Sequence, residues 1–254
     1  MSMLKAEGII KDFGGLRAIN HCSIEVEEDS IVGLIGPNGA GKTTLFNVIT
    51  GMYKPDAGRV MFKGEDITGL RPDQICQRGI TRTFQISREL KIMTLLENIM
   101  LAFKNQGGEG MIRGILNPSN VKEEERRNLE KALEILEAMK LYELRNEPAA
   151  ILSGGQRKML ELGQALATRP EMLLLDEPTA GATAAETSMV VNFIRKMREE
   201  QGLTFLIVEH KMEVIMGICD KIIVMNYGEK LMEGSVDEVR RNEQVREAYL
   251  GRGV

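Results

Sequence analysis

The three cysteines of this 254-residue chain, Cys22, Cys76 and Cys219, stand far apart with no CxxC pair, and its two histidines, His21 and His210, do not cluster. That spacing excludes a zinc-binding motif and a disulfide framework, leaving free, buried thiols as the expectation. No stretch approaches the roughly 20 apolar residues that a membrane-spanning helix needs, so any membrane role runs through partners. The N-terminal segment, with Lys5, Glu7 and Lys11, lacks the charged-then-apolar pattern of a secretory signal, and a cytoplasmic location is expected. Positive charge is not in excess either. A formal net charge of −4 provides no basic field for a nucleic-acid backbone; Arg126-Arg127 is expected to be a solvated helix face, and no nucleic-acid partner is expected.

What is present is an ordinary globular composition, 43% hydrophobic and 28% charged, in a chain of a length that one large α/β domain accommodates. Residues 30–35 are a short apolar run, 36–41 a glycine-rich turn, and 42–50 a helix that Gly51 stops. Residues 60–63 and the GEDITGL stretch predict short antiparallel strands and turns. Over 86–152 helix formers dominate, and Leu129, Leu133, Leu136 and Met139 recur near the helical period. This predicts a helical insertion, with a surface loop over 106–118. Beyond Ser153, helix and strand alternate over 154–168, 172–176, 185–200, 203–208, 211–217 and 222–225, the pattern of a parallel sheet. Val190, Phe193, Ile194 and Met197 mark one buried helix face. The segment 226–228 signals a hairpin, and Ser235 with Glu238 a capping box that opens one final helix toward Leu250.

Gly36-Pro37-Asn38-Gly39-Ala40-Gly41-Lys42-Thr43, continued by Thr44, satisfies GxxxxGK[ST] between an apolar strand and a helix, the context that gives the motif its meaning. Glycines let backbone N–H groups turn around an anion, the helix start adds partial positive charge, and Lys42 a full one. The β and γ phosphates of ATP are the expected ligand, with the Thr43 hydroxyl spaced for Mg²⁺. A second feature is the strand Met172-Leu173-Leu174-Leu175, which ends in Asp176-Glu177 at the edge where open α/β sheets bind ligands. Asp176 fits a Mg²⁺-holding role, and Glu177 is placed to polarise an attacking water; an acid pair after an apolar strand is also a common turn or cap feature.

Leu152-Ser153-Gly154-Gly155-Gln156 decides between these readings, because its chance occurrence in such a chain is on the order of one in several thousand. It is identical to the signature sequence of ABC ATPases and stands in their order, between the phosphate loop and the acid-tipped strand. The resemblance implies a P-loop NTPase (RecA-like) α/β core with a mainly parallel sheet, an N-terminal antiparallel β-subdomain and an inserted α-helical subdomain. These would form a single domain over 1–254, with the core at about 1–86 and 155–254 and the helical part at about 87–154. Physically, Ser153, Gly154, Gly155 and Gln156 open a second anion-binding helix end. By resemblance, two subunits pair head to tail, and each signature loop closes on the γ-phosphate held by the other's Lys42 loop.

Other positions match the family singly. Gln85 resembles the glutamine that contacts Mg²⁺ and the water, His210 the histidine that contacts the γ-phosphate, and Phe13 the aromatic on which adenine stacks. Each also has a plainer reading, as surface amide, helix cap and core residue respectively; jointly they favour the family roles. The sequence departs from the family after Glu177-Pro178-Thr179-Ala180-Gly181, where Ala182, Thr183 and Ala184 replace the common leucine and aspartate or asparagine. Phe13-Gly14-Gly15-Leu16, Arg82-Thr83-Phe84-Gln85, Met216-Gly217-Ile218-Cys219-Asp220 and Ala248-Tyr249-Leu250-Gly251 resemble the ATPase subunits of branched-chain and hydrophobic amino-acid importers. Relatives serving urea or exporting lipopolysaccharide share such stretches. The importer resemblance implies a homodimer, or a heterodimer with a similar ATPase, at the cytoplasmic face of the membrane. It also implies integral permease subunits and, indirectly, an external substrate-binding protein. Residues 86–96 are the candidate docking groove, or else a buried helix. A soluble ABC ATPase switch or assembly factor is the competing class.

Overall fold

Two twelve-residue strands open the chain, β1 (Ser2–Phe13) and β2 (Leu16–Glu27), and pair antiparallel across Gly14-Gly15. The computed structural model describes residues 1–83, 90–104 and 118–250. Next come β3 (Ile31–Ile35), α1 (Lys42–Ile49), β4 (Ala57–Phe62), β5 (Glu65–Asp66), α2 (Pro72–Gln77) and β6 (Ile80–Arg82). Helices α3 (Leu95–Met100), α4 (Pro118–Ala138) and α5 (Gly154–Ala167) follow. The chain ends with β7 (Met172–Asp176), α6 (Ala184–Gln201), β8 (Thr204–Val208), α7 (Met212–Ile218), β9 (Lys221–Asn226), β10 (Glu229–Gly234), α8 (Val236–Arg241) and α9 (Glu243–Leu250).

A six-stranded sheet runs β10-β9-β3-β8-β7-β6, parallel except for β10, beside a four-stranded antiparallel sheet, β2-β1-β4-β5. Strands β3, β7 and β8 are buried at every position, as a parallel sheet covered on both faces requires. Their side chains divide between two cores. Val32, Leu34, Leu174 and Leu206 pack with α1 and the four-stranded sheet, whereas Ile31, Ile35, Leu175 and Ile207 pack toward the helices. Helix α1 is thus held between the sheets by Leu45, Phe46, Val48 and Ile49, each contributing about 1.5–3 kcal/mol on burial. That packing fixes the direction of its N-terminus.

Helices α3, α4 and α5 pack on one another through Leu95, Ile99, Ala132, Ile135, Leu136 and Met159. Gly163 allows the close approach, since a Cβ there would lie 2.9 Å from Ile99 Cδ1. Of the expected apolar stripe, Leu136 and Met139 are buried, whereas Leu133 is half-buried and Leu129 is 39% exposed; on α4, Asn128 and Ala132 take the inward positions instead. The expected single final helix is two. Asn242 Oδ1 accepts from Val245 N at 3.1 Å and starts α9 anew after α8. Cys22 and Cys219 are buried and Cys76 half-buried, all three as free thiols; burial pushes the Cys22 thiol up to about 11.

Candidate functional site

The turn from β3 into α1 packs against neighbouring backbone on several sides. A Cβ at Gly36 would lie 2.2 Å from the carbonyl oxygen of Met225, and one at Gly41, with φ +98°, 2.7 Å from that of Ala18. Only glycine fits both places. The β9–β10 hairpin turns at Tyr227 and Gly228, both with positive φ, and Gly228 N donates to Ala40 O at 3.0 Å. The hairpin therefore braces the loop from below. Lys42 Nζ donates to Gly36 O at 2.7 Å and Pro37 O at 3.0 Å, which draws the side chain back over its own loop. Burial lowers the Lys42 pKa, opposed in part by Glu177 and Asp176.

Asn38, Gly39, Ala40, Gly41, Lys42, Thr43 and Thr44 line a cavity of about 470 Å³ together with Phe13, Glu177 and His210. Phe13 is 41% exposed, so it is not a core residue, and it meets Tyr53 edge to face at 5.2 Å between centroids. Glu177 follows β7 in the left-handed conformation, φ +51°, a strained placement for a non-glycine residue of the kind found at functional sites. Its Oε1 lies 3.1 Å from His210 Nε2. Asp176 sits behind the cavity, 2% exposed, its Oδ2 held by Arg82 at 2.7 Å. Arg82 also donates to Asn47 Oδ1 on α1 and stacks over Phe46 at 5.7 Å. No motif marks Arg82 for this role; its signal is only that a strand-end cation needs an acid.

Ser153, Gly154, Gly155 and Gln156 do not line this cavity. Ser153 caps α5, its Oγ accepting from Gln156 N at 3.2 Å while Gln156 Oε1 accepts from Ser153 N at 3.0 Å. Gly155 N donates to Glu186 Oε1 at 2.8 Å, and a Cβ on Gly155 would lie 2.3 Å from Glu186 Cγ. Thr183 caps α6 in the same way, its hydroxyl both donating to and accepting from Glu186. So the departure at Thr183 has a local use.

A family profile described as ABC transporter matches residues 19–180, and one described as branched-chain amino acid ATP-binding cassette transporter matches 229–254. The high-affinity branched-chain amino acid transport ATP-binding protein BraF of Pseudomonas aeruginosa is 40% identical over 249 residues, 98% of each chain. LivG of Escherichia coli, of the same description, is 39% identical with the same coverage. The chain belongs to the ABC transporter ATP-binding proteins. Among solved structures, a nucleotide-free ABC transporter cassette gives a TM-score of 0.86 at 39% identity, covering 99% of this chain and 100% of that one. The ADP conformation of an ABC transporter cassette gives 0.84 at 38% with the same coverage. A dimeric post-hydrolysis cassette bound to ADP and Pi gives 0.75 at 27%, covering 92% and 99%. The fold expected from the ABC signature is therefore the observed one. Of the expected ABC site residues, Gln85 lies outside the described residues, as do most of the loop 106–118 and residues 86–89 of the expected docking groove.

Proposed function

We propose that the chain binds and hydrolyses ATP to drive uptake of branched-chain or other hydrophobic amino acids through membrane permease subunits. The observation that carries the hydrolytic part is the convergence of the Lys42 loop, Glu177 and His210 on one cavity. In this reading Phe13 stacks on adenine, residues 36–44 cradle the phosphates, and Lys42 leaves the loop carbonyls for the β and γ oxygens. Glu177 accepts a hydrogen bond from the water that attacks the γ-phosphorus, and His210 steadies the γ-phosphate. The oxygen donors Thr43 and Asp176 would hold Mg²⁺, with Gln85 as a third ligand by family resemblance; the ion would supply positive charge that offsets the charge of the phosphates. Among the described residues no group of three or more His, Cys, Asp or Glu side chains could hold a metal ion.

Ser153, Gly154, Gly155 and Gln156 serve the γ-phosphate of a partner ATPase, which is a second copy or a similar subunit. The amino-acid cargo rests on the descriptions of BraF and LivG and on the match over 229–254. In this reading the chain lies on the cytoplasmic face of the membrane beneath its permeases; among the described residues no helix is long and apolar enough to cross a membrane. The test joins two measurements. Tagged chain captured from detergent-solubilised membranes is expected to bring down multispanning permeases, and loss of the chain to lower cellular leucine or valine uptake. Recovery with soluble partners alone, or unchanged amino-acid uptake, contradicts the transport reading.

A further inference from the structure

Strands β7 and β8 lie side by side, Asp176 paired with Val208, so the segments that follow them, bearing Glu177 and His210, emerge together. The residues on either side of His210 both reach across. Glu209, 2% exposed, accepts through Oε1 from Thr179 N at 2.8 Å and from the Thr179 hydroxyl at 2.5 Å. Its Oε2 accepts from His210 N at 3.0 Å and Lys211 N at 3.4 Å. Lys211 Nζ donates to Thr179 O at 3.0 Å, Ala182 O at 3.3 Å and Thr187 Oγ1 at 3.5 Å. Every polar group of the fully buried Thr179 is thus taken by the two residues that flank His210.

We infer that Lys211, with Glu209 beneath it, is a positioning residue that keeps His210 in register with Glu177 and fixes the 179–182 loop. The inference rests on the proposed roles of Glu177 and His210 and extends them. A compact ammonium has three protons, matching the three acceptors offered here. Beyond the strand pairing that ends at Asp176 and Val208, the two emerging segments are also tied by Glu177 N to Val208 O, 2.8 Å, and by the His210–Glu177 contact itself. Without Lys211 the Ala182 carbonyl loses the ammonium and the Thr179 carbonyl keeps only Ala182 N, at 3.2 Å, so the loop after the water-polarising carboxylate is held less firmly against the segment that carries the phosphate-facing imidazole. ATP affinity, set by the Lys42 loop, does not depend on this clasp.

The test compares wild type, Lys211→Met and Lys211→Arg for kcat, KM, equilibrium ATP affinity and melting temperature. Lys211→Met is expected to lower kcat about 10-fold, with KM and affinity within about twofold of wild type. Lys211→Arg, which restores donors, recovers most of the loss. Lys211→Gln, which keeps part of the donor set, carries the same comparison if the methionine variant does not fold. An unchanged kcat overturns the inference, as does a loss of kcat that tracks equal losses of affinity and melting temperature. Turnover by wild type with no effect at Lys211 removes this inference alone; absence of turnover in wild type removes the hydrolytic reading beneath it.

Discussion

The helix beginning at Lys42 and the helix beginning at Gly154 both suit an anion, yet their first turns are finished differently. Gly41, the cap of the first, offers no side chain to its amides, and Lys42 is the cation that supplements them. At the second, Ser153 Oγ already accepts from Gln156 N, and the Glu186 carboxylate occupies Gly155 N. The first end is equipped to hold phosphates within one chain; the second has the amides of Gly155 and Gln156 satisfied internally and lacks a cation of its own in the motif. The difference accords with a division of labour in which the signature helix acts only when another subunit presents a γ-phosphate.

The comparison can be broken in several ways. The largest expected effect is at Glu177→Gln, which keeps the Lys42 loop intact and should lower hydrolysis about 1000-fold while ATP stays bound. A full rate of phosphate release would deny Glu177 its role. Gly155→Ala places a methyl against Glu186 and should cut turnover about tenfold with binding by the single chain intact; an unchanged rate would separate the Glu186 contact from function. Phe13→Ala should weaken ATP about fivefold, the loss of about 1 kcal/mol of stacking, and do so equally for ADP, as calorimetry would reveal.

The smallest effect concerns Glu186. Its carboxyl is held below the usual glutamate range by the Thr183 amide first, then the Gly155 amide and the Thr183 hydroxyl. A lowered folded pKa means stability that is present above the unfolded glutamate value and is lost as pH falls through the folded one. Glu186→Gln should therefore make the acid-side fall in melting temperature shallower. An unaltered slope in a pH series would show that the contact contributes nothing to folding.

The same contrast explains what the sequence reveals. The Lys42 loop is written in nine consecutive residues, 36–44, and residues 38–44 of it line the cavity, so the motif and the cavity wall are local in sequence. The parallel strands are legible because β3, β7 and β8 are uninterrupted apolar runs. Arg82–Asp176 and Lys211–Thr179 join residues 94 and 32 positions apart, and no spacing rule brings such partners together. Strands β1 and β2 mix lysine, glutamate and arginine among their apolar residues, and shifts interrupt their register, so no clean alternation marks their pairing. Periodicity alone draws Leu129 into the stripe of α4, whereas the helices packed against it bury Asn128 and Ala132.

Equilibrium ATP binding to dilute single chains, comparing Lys42→Ala with Ser153→Ala, tests the division of labour most directly. The expected result is about a 100-fold loss of affinity at Lys42 and none beyond about twofold at Ser153, although turnover falls in both. Equal losses of single-chain affinity in the two variants would place both helix ends in one site and contradict it.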